Sequence, residues 1–152
     1  MAAVDAARFL RALAGTQRVG VDTQILIYHF EDVSPYADLT TRLLTRAAAG
    51  HLQLIVSAVT VSELLVRPLR TGGTFAWLET ALGALPDLVR GDVTWDTARI
   101  GADLRARTRL PLPDALILAS AIEHGAQAII TNDRKWQSRQ LPCRVLMLDD
   151  YV

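Results

Sequence analysis

The chain has 152 residues, 51% of them hydrophobic and 21% charged, the size and composition of one globular domain with a sizeable core. Its 16 basic and 16 acidic residues cancel, which excludes a protein held on nucleic acid by a broad basic surface and leaves only local binding of that kind. The lone Cys143 rules out an intramolecular disulfide, and with neither a secretory leader nor an apolar run long enough for a bilayer, a cytoplasmic protein without membrane contact is expected.

In chain order, "DAARFLRALAG" (5–15) reads as an amphipathic helix ending at Gly15, followed by a short strand "RVGVD" (18–22) and a helical stretch "TQILIYHF". A further helix, "SPYADLTTRLLTRAAAG", is punctuated by Ser34-Pro35 and Gly50. The strand "LQLIVS" (52–57) leads into the helix "TVSELLV", and beyond Pro68 and Gly72-Gly73 "FAWLETALGAL" reads as a separate short helix. The second half repeats the logic: a strand at "DLVRGDV", a helix over "WDTARIGADLRART", a helix from Pro113 to His124, then the strands "AQAIIT" and "RVLMLD". "AQAIIT" is apolar without alternation, as in a parallel strand covered on both faces. Strands alternating with helices at this density predict a three-layer α/β sandwich around a mostly parallel sheet, whose sites lie beyond the C-terminal strand ends.

Four acids fall near such ends. Asp22 closes the first strand, Glu63 lies early in the helix after the second, Asp114 opens the helix "LPDALILASA", and Asp133 follows "AQAIIT". If the sheet gathers them, repulsion and desolvation would raise their pKa values unless a cation neutralises them. An all-oxygen set without Cys or a His pair suits Mg²⁺ or Mn²⁺, ions that hold phosphate oxygens and activate water. Each acid also has a local reading. Asp22 and Asp114 sit where helix N-termini favour carboxylates, Thr60 and Glu63 have capping-box spacing, and Asp133 fits a turn.

The stretches "VDTQILIY", "VSAVTVSELLVRPL", "LPDALILASAIEHGAQAIITND" and "RKW" resemble the PIN-domain nucleases, especially the VapC toxins of bacterial toxin–antitoxin pairs. The resemblance spans nearly the whole chain and is strongest from Leu112 to Trp136. It implies one PIN-like α/β/α domain over 1–152, with 1–16 as an N-terminal helical extension. It also implies a metal-dependent endoribonuclease that hydrolyses RNA phosphodiester bonds with Mg²⁺ or Mn²⁺ at Asp22, Glu63, Asp114 and Asp133. Asp22 and Asp114 would be direct ligands, and Gln24, Thr131 and Asn132 would orient a carboxylate or a water. A homodimer and a VapB-type antitoxin are the implied partners. Two features depart from the family pattern: Gln24 stands where Ser or Asn is common, and the first helix is longer than the usual start.

Arg67, Arg70, Arg107, Arg109, Arg134 and Lys135 lie in segments near the expected cleft and could admit RNA to it, while Trp136 could either stack a base or pack the sheet edge. A phosphatase of the haloacid dehalogenase type needs a second Asp at position 24, which is Gln, and the pattern of a phosphoacceptor receiver is also missing. The remaining rival is a catalytically inactive PIN-fold scaffold or binding protein.

Overall fold

A computed structural model describes residues 3–137 and 140–152; the first two residues of the expected extension lie outside the described residues. In chain order the elements are α1 (Ala6–Ala12), β1 (Arg18–Val21), α2 (Thr23–Phe30), α3 (Tyr36–Ala48), β2 (Gln53–Ser57), α4 (Ala58–Arg70), α5 (Ala76–Gly83), β3 (Leu88–Gly91), α6 (Trp95–Thr108), α7 (Leu112–Glu123), β4 (Ala128–Thr131) and β5 (Arg144–Met147). Short 3-10 turns, Arg134–Trp136 and Leu148–Tyr151, follow β4 and β5.

The order of elements matches the sequence reading, and the differences lie at their ends. Helix α4 starts at Ala58, because the Ser57 hydroxyl accepts from the Val59 N–H at 3.1 Å and caps it there. It continues past Pro68 to Arg70: a proline in the last turn removes a single bond, and Thr71 N–H still reaches Pro68 O at 3.2 Å. The predicted strand "RVLMLD" stops at Met147 and turns, which takes Asp149 out of the sheet.

All five strands are parallel, in the order β3-β2-β1-β4-β5. The chain builds outward from β1 through β2 to β3, then returns to lay β4 on the other side of β1. The order therefore reverses between β1 and β4, where an open α/β sheet leaves a crevice beyond its strand ends. Helices cover both faces, giving the α/β/α sandwich. On one face Val19, Val21, Leu54, Val56, Ala128 and Ile130 pack with Phe9 and Leu13 of the first helical segment and Leu39 and Leu43 of α3. On the other, Ile129 packs under Ala115, Leu118 and Ala121 of α7, with Trp136 beside them. Alternate β4 residues thus enter different cores, which explains why "AIIT" is buried throughout.

Helix α7 lies against the sheet over glycines. A Cβ at Gly20 would meet Ala121 Cβ at 2.6 Å and Ile129 Cδ1 at 2.7 Å, and one at Gly91 would meet Ser120 Cβ at 2.9 Å. The small residues Ala119, Ser120 and Ala121 make this approach possible from the helix side.

Candidate active site

Asp22 emerges from the central strand at the reversal point. Its N–H donates to Ile130 O at 2.9 Å, extending the β1–β4 ladder by one residue. One carboxylate oxygen, Oδ1, accepts from Thr23 N–H at 2.8 Å and caps α2, while Oδ2 accepts from the Thr131 hydroxyl at 2.7 Å. The α2 cap and the bond to Thr131 therefore use different oxygens of one side chain. With 7% of its surface exposed, Asp22 has its pKa raised, chiefly by burial; the Thr131 and Thr23 bonds oppose the shift, and the charges of Glu63 and Asp133 add to it.

Glu63 approaches from α4. Because that helix is capped by Ser57, Thr60 is an interior residue and the Thr60–Glu63 capping box does not form. Glu63 Oε1 instead accepts from the Thr23 hydroxyl at 2.8 Å, and Thr23 Oγ1 lies 3.1 Å from Thr60 Oγ1. Asp114 stands in the first turn of α7. Its pKa is raised from 3.8 to about 6, first by burial and then by the charge of Asp22, with Asp133 and Glu63 adding to the rise and Lys135 opposing it. Asp133 follows β4 and starts the first 3-10 turn, its Oδ1 accepting from Lys135 N–H at 2.9 Å and its Oδ2 lying 3.3 Å from Lys135 Nζ.

These four acids line one open cavity of about 740 Å³, together with Gln24, Tyr28, Asn132, Arg134 and Lys135. Gln24 is exposed in its wall. Thr131 bonds Asp22, whereas Asn132 turns elsewhere: its Nδ2 donates to Tyr28 OH at 3.1 Å and to Asp149 Oδ1 at 3.0 Å. Of the six cationic residues expected near the cleft, Arg134 and Lys135 reach it, while Arg67 pairs with Glu31 at 3.5 Å and Arg107 with Asp103 at 2.8 Å. Trp136 is fully buried, so it packs the core and offers no face to a base. Asp149, Tyr36 and Tyr28 were not among the candidates from sequence. The strand-end rule points to Asp149 once β5 is recognised to finish at Met147.

The donor set fits a hard divalent cation. It consists of carboxylate oxygens, and two of its members bear shifts that positive charge would relieve. Among the described residues no three His, Cys, Asp or Glu side chains form a ready-made ligand cluster.

The chain is thus a parallel α/β protein with an acid-lined crevice at the reversal point of its sheet. Residues 19–140 match the family model for the PIN domain, and the chain belongs to the PIN-domain family. A search of curated proteins gave no significant match. Among solved structures the chain is similar to a toxin–antitoxin complex from Klebsiella pneumoniae, at 26% identity and a TM-score of 0.65, over 86% of this chain and 97% of that one. It also shares the fold of VapBC2 from Rickettsia felis bound to a promoter DNA fragment, with 18% identity, a TM-score of 0.67 and coverage of 86% and 98%. VapC20 of Mycobacterium tuberculosis, described as a toxin cleaving the sarcin-ricin loop, matches with 17% identity, a TM-score of 0.60 and coverage of 83% and 98%.

Proposed function

We propose that this PIN-domain protein is a metal-dependent endoribonuclease and the toxin of a toxin–antitoxin pair. The observation that carries the reading is the convergence of Asp22, Glu63, Asp114 and Asp133, from four different elements, on one cavity at the sheet's reversal point. Similarity to toxin–antitoxin complexes, and to a toxin that cleaves an RNA loop, supports the choice of RNA as substrate and of an antitoxin as partner.

Asp22 and Asp114 would hold the ion, with Glu63 and Asp133 completing the acidic ring. Mg²⁺ or Mn²⁺ would supply positive charge at the phosphoryl oxygens and acidify an attacking water. The protein's own contribution is orientation. Thr131 and the Thr23 N–H fix the two oxygens of Asp22, and the Thr23 hydroxyl fixes Glu63, so the acids are set before substrate arrives. Arg134 and Lys135 on the cavity wall counter the phosphates that would otherwise be repelled. A homodimer and an antitoxin need apolar contact surface, and Val66, Leu69, Phe75 and Trp77 expose it on α4 and at α5. No helix among the described residues is long and apolar enough to cross a membrane; the cytoplasm, where RNA is available, is the setting this function requires.

The test is cleavage of single-stranded and structured RNA by purified, antitoxin-free protein with Mg²⁺, with Mn²⁺ and with EDTA, beside folded Asp22→Asn and Asp114→Asn variants. Cleavage that needs the metal and disappears in both variants is the expected result. A folded wild-type protein that cuts no RNA under any of these conditions would be an inactive scaffold instead.

A further inference from the structure

We infer that Asp149 is a positioning residue for the nuclease site: from the turn after β5 it clamps Asn132 and Arg134, and so holds the Asp133 between them in the acid ring. The inference rests on the nuclease reading given above.

The clamp has four polar contacts. The Asp149 carboxylate accepts from Tyr36 OH at 2.7 Å and from Asn132 Nδ2 at 3.0 Å on Oδ1, and from Arg134 Nη2 at 3.4 Å on Oδ2. Its backbone N–H donates to Asn132 Oδ1 at 2.8 Å. Asn132 is therefore gripped at both ends of its amide by a single residue, which fixes its orientation as well as its place. Tyr28, whose OH accepts from the same Asn132, stacks on Tyr36 with ring centroids 4.2 Å apart, closing the cluster from the α2 and α3 side.

Chain connectivity explains how this reaches the site. Asp133 lies between Asn132 and Arg134, both of which bond Asp149, and it lines the cavity with the other acids, where its charge acts on Asp22 and Asp114. Holding the two flanking residues constrains the middle one without touching it. The same contact fixes the guanidinium of Arg134 at the cavity wall, where an incoming phosphate passes.

Two substitutions separate this role from a merely structural one. Asp149→Ala removes every side-chain contact, and both Mn²⁺ affinity and kcat are expected to fall by about 10–100-fold, the usual cost of losing an outer partner of a metal site. Asp149→Asn keeps acceptors for Tyr36 and Asn132 but drops the charge opposite Arg134. It should retain Mn²⁺ affinity and kcat while KM for RNA rises several-fold. The measurements are Mn²⁺ titration of the RNA-free protein by calorimetry, steady-state cleavage of a labelled single-stranded RNA, and thermal melts of each variant. Unchanged Mn²⁺ affinity, kcat and KM in folded variants would overturn the inference, whatever happens to Tm. If Asp149→Ala does not fold, an unchanged KM in Asp149→Asn overturns it alone. A wild-type protein that binds no Mn²⁺ and cuts no RNA defeats the nuclease reading itself, a result distinct from variants that match an active wild type.

Discussion

Asp114 is the residue at which the cost of gathering acids is most visible. The folded protein keeps its proton up to about pH 6, whereas a chain with the ordinary value of 3.8 releases it earlier. Folding thus favours the protonated form, and the cation-free protein loses stability as pH rises from 3.8 through about 6. Asp22 shifts in the same direction. Melts of the wild type in EDTA across that interval should therefore show a fall in Tm relative to Asp114→Asn, whose difference from wild type isolates this one carboxyl. Adding Mg²⁺ above the interval should restore Tm in the wild type and do so less in the variant, because a ligand that binds only the folded state stabilises it by mass action. Thr131 offers a second check. Thr131→Val strips the 2.7 Å donor from Asp22 Oδ2, and RNA cleavage at fixed Mn²⁺ should drop by about 10–100-fold while the protein stays folded. The four acids were legible in the sequence because strand ends and helix starts are marked by composition. Their supporting residues were less so. Asn132 looked like a partner for the ring, yet its amide belongs to Asp149, a contact between segments far apart in sequence that no local spacing records.

The pairing of α7 with β1 controls the distance between the two acids proposed to hold the ion, since one opens the helix and the other follows the strand. Gly20 sets that pairing. Gly20→Ala pushes a methyl against Ala121 and Ile129 at separations no real Cβ tolerates, so the helix must move off the sheet. The expected cost is about 1–3 kcal/mol of stability in urea denaturation, together with a loss of cleavage that outlasts correction to fully folded protein. Elements were readable in order and type because each carries its own period, and the buried strands showed as unbroken apolar runs. Their ends were less readable. Ser57, Ala58 and Thr60 all stand at plausible helix starts, and only the bond from Val59 N–H to Ser57 decides among them. On that choice depends whether Glu63 caps a helix or enters the cleft.

At the scale of the whole molecule, the family match begins at residue 19, but the packed unit does not. Phe9 and Leu13 are fully buried in the core beneath the sheet, Phe9 meets Tyr151 edge-on with centroids 5.2 Å apart, Asp5 N–H bonds Tyr151 O at 2.7 Å, and Arg8 Nη1 bonds Asp150 O at 2.8 Å. The segment that reads in sequence as an appended helix thus braces the turn carrying Asp149. Phe9→Ala should cost about 3–5 kcal/mol by chemical denaturation; a loss well under that would mark the helix as an appendage. The strand order has one more consequence, for synthesis. The ladder neighbour that fixes Asp22 through Ile130 and Thr131 is β4, which leaves the ribosome after every other strand that borders β1. A nascent chain short of β4 carries three of the four acids, with Asp22 lacking its ladder neighbour and Asp133 still to come, so the cleft cannot assemble before β4 has left the ribosome.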